Sequence, residues 1–399
     1  MITLALVIFW LSVALMFHSY VLFPLLLKLF AIGKKPNDVI YDRNMHELPE
    51  VYVIMSVFNE ERVIKEKLES IYNTDYPLDK LHVFIGSDNS ADATNSVIQG
   101  YKQTGRNLHF VPYTQRQGKP NVINALVTLI QQQQPDLKQA VFILTDANVV
   151  FTPTTIFETV KHFRNENIGL VAANILNKEV VKDGISVQEK SYIQRETNVK
   201  YLEGLNWGTM MGAFGACYAM RATLWKAIPA NFIVDDFYLT MNVLKNGKQA
   251  ITELNALCYE DVSNEVAVEF GRKARIQAGN FQNLATYWPM LLGFNATAFS
   301  FLSHKVIRWL GPLFIVLSYI ANICLLPLGQ FYVFTFVVQN LLLVSPVIDT
   351  VLKRMGLHLI LLRFASYFYT MNFALALGFV NYLRGVKTNT WNPTKRRLE

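Results

Sequence analysis

The stretch Val141 to Phe151, VFILTDANVVF, decides the fold of this chain. An apolar, β-branched run leads up to Asp146 and a second follows Asn148, which predicts a buried strand ending in a polar hairpin or turn. In open α/β sheets ligands bind just outside the carboxyl ends of strands, so this carboxylate and carboxamide can face one nucleotide or cation. The competing reading is an Asx-turn whose side chains bond only local backbone. The surrounding sequence favours the ligand.

Upstream, the same pattern recurs. Val51 to Val57 reads as a strand that ends in Phe58-Asn59-Glu60-Glu61 and passes into a helix from about Arg62 to Tyr72. Leu81 to Ser87 is a second strand, with Asp88 and Asp92 bracketing the polar turn at its carboxyl end. A third strand near His109 to Pro112 leads through Gly118-Lys119 into a helix over Asn121 to Gln131. Repeated βα units of this length predict a mostly parallel, doubly wound sheet with its polar turns along one edge. No GxGxxG follows the first strand, and Gly118-Lys119 lacks the rest of a P-loop. Phosphates at this edge therefore need a cation, Lys119, or both.

Downstream the alternation weakens. Gly208 to Arg221, GTMMGAFGACYAMR, sets small residues among aromatics, which suits either close backbone approach to a ligand or a tightly packed core turn. Asp235-Asp236 opens a helix running to about Lys245, as site carboxylates or as caps on the positive end of the helix dipole. A further helix over Glu265 to Gln282 carries Arg272, Lys273 and Arg275, able to meet a diphosphate or lipid headgroups, or simply to form a solvated basic face.

Of the 399 residues 52% are hydrophobic and 13% aromatic, and the excess lies in the first thirty and the last hundred. Ile2 to Phe30 exceeds the roughly 20 residues needed to cross a bilayer and lacks the basic start and cleavage site of a signal peptide. Lys28, Lys34 and Lys35 at its end place the N-terminus outside and the following domain in the cytoplasm. Further spans are expected at about 309–328, 331–348 and 357–383, and Leu284 to Ser303 reads as an interfacial stretch. Three crossings after a cytoplasmic domain would put Lys387, Lys395, Arg396 and Arg397 outside, against the positive-inside rule, so a re-entrant or interfacial segment and a cytoplasmic tail are expected. The net charge of +7 lies largely beside apolar spans without an aromatic-interleaved basic patch, which argues against nucleic acid. Cys217, Cys258 and Cys324 have no metal-ligand spacing and fit buried, inert thiols in a reducing cytoplasm.

Taken together, these motifs resemble the membrane-anchored family 2 glycosyltransferases, which include hyaluronan, cellulose and poly-N-acetylglucosamine synthases and single-sugar transferases. The resemblance covers roughly Val51 to Gln282 in order and spacing. It implies that Asn59-Glu60 and the Asp88 to Asp92 turn hold the nucleotide, and that Gly118-Lys119 through Asn124 lies beside the donor phosphates. Asp146-Ala147-Asn148 is similar to the family's metal-binding DxD, with its last carboxylate replaced by a carboxamide. A neutral oxygen there implies weaker binding of Mg²⁺ or Mn²⁺. Gly212 to Arg221 looks like the acceptor-side loop, and Asp235-Asp236 like the family's Glu-Asp pair, which carries the general-base role to Asp236. Arg275 looks like the cation near the donor diphosphate, and Arg272, expected at the substrate, stands where processive synthases have Gln. Where processive synthases have a Trp, this chain has Ile276.

The resemblance implies an α/β, GT-A-like Rossmann-type nucleotide-sugar domain over 48–283, flanked by an anchor at 1–30, an interfacial segment at 284–304, membrane helices at 305–385 and a basic tail at 386–399. The expected function is inverting hexosyl transfer from a UDP- or GDP-sugar to a lipid-linked or glycan acceptor in polysaccharide or glycolipid biosynthesis, at the inner membrane of the cell, in a multi-pass protein. The alternatives are a processive polysaccharide synthase, a membrane nucleotidyltransferase and a noncatalytic nucleotide-sensing export component.

Overall fold

The computed structural model describes residues 1–43, 45, 47–177, 186–260, 266–357 and 359–386. The basic tail and its WNPTKR sequence lie outside the described residues. Eight strands form one sheet: β1 (Val51–Val57), β2 (Leu81–Asp88), β3 (Leu108–Tyr113), β4 (Val141–Thr145), β5 (Val149–Phe151), β6 (Ile168–Asn177), β7 (Cys217–Arg221) and β8 (Gln249–Glu260). Their order is β3-β2-β1-β4-β7-β6-β8-β5.

The first half is the doubly wound sheet that the βα units predict: β1 pairs in parallel with β2 and β4, and β2 with β3. Period-two alternation divides β1 and β4 between two cores. Val51, Val53, Met55, Val141 and Ile143 pack into one, and Tyr52, Ile54, Phe142 and Leu144 into the other. The second half is mixed, with β6 and β8 paired in parallel beside antiparallel neighbours. β7 lies antiparallel to β4 and β6, and β5 antiparallel to β8. VFILTDANVVF is accordingly two strands: β4 and β5 leave Asp146 to Asn148 as the turn between them, and β5 crosses to the far edge to pair with β8.

Among the described residues four helices are long and apolar enough to cross a membrane: Ile2–Phe30, Gly311–Leu328, Gln330–Arg354 and Ile360–Leu383. Their outward side chains are large and apolar, including Phe331, Phe334, Leu341 and Phe373. Cys324 is exposed on the second of them, so only Cys217 and Cys258 meet the expectation of buried thiols. Between sheet and spans lies a helix the sequence pattern did not reveal, Ser186–Trp207, and the helix Val266–Tyr287 follows β8. The chain from Trp288 to Trp309 consists of short helical turns that bury Phe301, Ser303 and His304 while exposing Trp288, Leu292, Phe294 and Leu302.

Candidate active site

The site forms at the carboxyl ends of β1, β2 and β4, where the backbone turns away and side chains are left facing outward. Asp88, the last residue of β2, is fully buried. One oxygen accepts the Gln117 amide at 2.6 Å, and the other accepts the Gly118 amide at 3.0 Å and Arg116 Nε at 3.1 Å. Asp88 thus shapes the loop that launches the helix Lys119–Gln133, with Gly118 supplying the positive φ of 85° that the turn requires. Arg116 stacks 3.4 Å over Phe58. Asn59 and Asp92 tie the first two turns together: Asn59 Oδ1 accepts the Ala91 amide, and the Asp92 carboxylate accepts the Thr94 and Glu61 amides. Glu60 is buried beside them, its amide donating to Thr94.

Lys119 joins the two carboxylate motifs. Its Nζ donates to Asp146 Oδ1 at 2.8 Å and lies 3.7 Å from Asp235 Oδ2. Burial alone would lower this ammonium, but Asp146 and Asp235 lift it above its ordinary value. Arg275 lies within Coulombic reach of both aspartates, lowered by burial and by the neighbouring Arg272. Two carboxylates and two cations brought together from three helices and a strand end form a pocket of balanced charge that a diphosphate would engage through its cations.

Asp236 is the next residue along from Asp235. It begins the helix Asp235–Lys245, and its Oδ1 accepts the Phe237 amide at 2.7 Å. Burial first, and the adjacent Asp235 second, push its carboxyl up to about 6. The acceptor-side loop reaches it because it is built from glycines. Gly212 holds φ 80° and a Cβ there would sit 2.5 Å from the Phe237 ring, while a Cβ on Gly215 would meet Asp236 Oδ2 at 3.0 Å.

Asn148 is turned to a partner 112 residues away: its Nδ2 donates to Glu260 Oε1 at 3.2 Å, across the β5 and β8 pairing that sets Val149 opposite Glu260. Asp146 and Asn148 offer hard oxygen donors. Among the described residues no group of three or more His, Cys, Asp or Glu stands close enough to hold a metal ion. A donor set of this size fits Mg²⁺ or Mn²⁺, which keep waters and substrate phosphates as ligands alongside one or two protein oxygens.

Three of the expected substrate contacts are engaged in the scaffold. Asn124 bonds both backbone groups of Ile228, Arg221 donates to the carbonyls of Phe163, Asn165 and Ile168, and Arg272 pairs with Glu189 and Glu269. Sequence reasoning also missed Lys67, buried beneath the Asp146 turn. Its ammonium donates to Thr145 Oγ1 and to the Val149 carbonyl, and burial pushes it down to about 7. It occupies an apolar-flanked helix position, and a fully buried lysine leaves no local signal.

The family model described as Glycosyl transferase family 2 matches residues 52–227, from β1 through the acceptor-side loop. Over that stretch the chain is similar to family 2 glycosyltransferases. The probable glycosyltransferase YdaM of Bacillus subtilis (strain 168) is 33% identical over 85 residues, a segment covering 21% of this chain and only 20% of that relative. Among solved structures, the mannosyltransferase PcManGT from Pyrobaculum calidifontis, in complex with GDP-Man and Mn2+, matches with a TM-score of 0.67 at 21% identity, over 94% of this chain and 99% of that one. The fold is GT-A-like, with its membrane-length helices attached.

Proposed function

We propose that this protein is an inverting glycosyltransferase that moves a hexose from a UDP- or GDP-sugar to a membrane-associated acceptor, lipid-linked or glycan, with Asp236 as the base. The observation that carries this reading is that Lys119 Nζ joins Asp146 at 2.8 Å and lies 3.7 Å from Asp235, the neighbour of an Asp236 that only a glycine at 215 can approach so closely. An inverting transfer needs a base on the acceptor hydroxyl and, opposite, charges that stabilise the departing nucleoside diphosphate. Asp236, raised to about 6, is ionised at neutral pH yet basic enough to take the hydroxyl proton. Lys119 and Arg275 supply positive charge for the diphosphate. Asp146 and Asn148 would hold Mg²⁺ or Mn²⁺, which when bound neutralises phosphate charge. The nucleotide sugar and Mn2+ of the fold relative support this donor class and cation.

The domain division is proposed as 48–283 for the catalytic domain, in the cytoplasm, with the spans in the inner membrane and 284–304 along its surface. The exposed Trp288, Leu292 and Phe294 support that interfacial placement. One or a few sugars are transferred rather than a long polymer. Ile276 cannot offer the indole of a processive tunnel, and four membrane-length helices are few to enclose a polar channel. The test is incubation of the purified enzyme with a panel of UDP- and GDP-sugars and membrane lipid, followed by mass analysis: a short glycolipid is expected, early long polysaccharide refutes single addition, and no sugar transfer refutes the reading.

A further inference from the structure

The buried face of the helix Ser186–Trp207 carries Glu189, Glu196, Lys200, Glu203 and Asn206. Most of these charges are matched. Glu196 takes His304 Nε2 at 2.9 Å, Lys305 at 2.5 Å and Arg308 at 3.0 Å. Glu203 takes His304 Nδ1 at 2.8 Å and the Met211 amide of the acceptor-side loop at 3.0 Å. Lys200 differs. It is 4% exposed, and its Nζ lies 3.3 Å from the centre of the Phe214 ring, with no hydrogen bond to a carboxylate among the described residues. The carboxylates of its own helix are occupied by other donors. Phe214 directly precedes Gly215, where a Cβ would meet the Asp236 carboxylate at 3.0 Å. A buried ammonium on an aromatic face is attracted by the ring, but the ring alone does not replace its lost hydration, so it needs an anion within range. Glu196 is in range but already holds His304, Lys305 and Arg308, which leaves Asp236 across the loop to match the charge.

We infer that Lys200 is a positioning residue for the acceptor-side base: seated on Phe214 behind the acceptor-side loop, its ammonium keeps the Asp236 carboxylate ionised while Gly215 leaves that carboxylate room to meet a hydroxyl. The inference rests on the reading of Asp236 as the base. The charged and titratable groups around the pair are Asp235 on the same helix as Asp236, Lys119, Tyr218 of β7, and, around Lys200, Glu196, Glu203 and Lys305. Asp235 and burial raise Asp236, whereas Lys119 and Lys200 oppose them. Lys200 is itself pushed down to about 7, by burial and then by Lys305, so it carries its charge across the pH range in which Asp236 loses its own.

The experiment is the pH profile of nucleoside diphosphate release from GDP-mannose and UDP-N-acetylglucosamine by the full chain in detergent, with melting curves as a check on folding. Native enzyme should lose activity as pH falls through about 6. Lys200→Met should move that acidic limb upward by about one pH unit, roughly a tenfold loss at pH 5.5 with little at pH 8.5. Lys200→Arg should restore the native limb. If Lys200→Met does not fold, Phe214→Leu, which removes the seat of the ammonium, should shift the limb in the same direction by less. An unmoved limb in a folded Lys200→Met enzyme that Asp236→Asn inactivates overturns the inference and leaves the base reading standing. Full activity in Asp236→Asn overturns both.

Discussion

The donor side and the acceptor side of the proposed site are built by different means. On the donor side, the polar residues sit at strand ends and on the turns that follow them, and each turn is tied to the next: Asp88 folds the Arg116 to Gly118 loop, and Asp92 ties the turns after β1 and β2. The acceptor side is assembled from distant segments. The Met211 amide rests on Glu203, which shares His304 with Glu196, and Glu196 gathers Lys305 and Arg308 from the chain just before the second membrane-length helix. Both nitrogens of His304 face carboxylates. A donor site made of strand ends can be changed residue by residue without loss of fold. An acceptor site resting on buried ion pairs joins catalysis to the attachment of the membrane helices.

The comparison can be broken most sharply at Asp236. Asp236→Asn keeps the shape and removes the base, and should lower the turnover number by about 10²- to 10⁴-fold with an unchanged melting temperature, as steady-state kinetics and a melt will show. On the donor side, Asp146→Ala should cost on the order of a hundredfold in turnover, again with the fold retained, because it releases Lys119 and removes a cation ligand. Activity unchanged by EDTA would remove the cation from the scheme. Glu196→Ala should instead reveal the acceptor side's dependence on tertiary contacts. It strips His304, Lys305 and Arg308 of their shared carboxylate, and detergent unfolding should report a loss of about 3 kcal/mol.

The smallest effect is expected at Asn148. Asn148→Asp alone sets a carboxylate against Glu260, so Mn²⁺ titration by electron paramagnetic resonance should show less than a tenfold gain in affinity. Paired with Glu260→Gln, the same substitution should bind more tightly than either single variant, since the repulsion is gone. Equal affinities would mean that Asn148 takes no part in holding the cation.

Much of the donor side was legible because it is local. β1, β2 and β4 announce themselves by apolar runs, and strand ends face the ligand edge wherever βα units repeat, so Lys119, Asp146 and Asp235 could be chosen before their contacts were known. The helix Ser186–Trp207 escaped because its buried face is charged. Glu196, Lys200 and Glu203 lie inward where apolar residues mark most helices, and their partners lie elsewhere in the chain. Asn124 and Arg221 fit motif positions, yet their hydrogen-bonding groups bind backbone.

The sequence by itself determined the strands of the first half-sheet, the carboxylates at their ends and the membrane-length apolar segments, since each follows from side-chain period, turn chemistry or the length of an apolar run. Only the tertiary structure decided that β7 would enter antiparallel beside β4, that β5 would cross to β8 and bring Glu260 to Asn148, and that Lys200 would come to rest on Phe214. Those outcomes depend on pairing and charge matching between residues far apart in the chain, and such matching is settled when the backbone closes on itself and water leaves the contact.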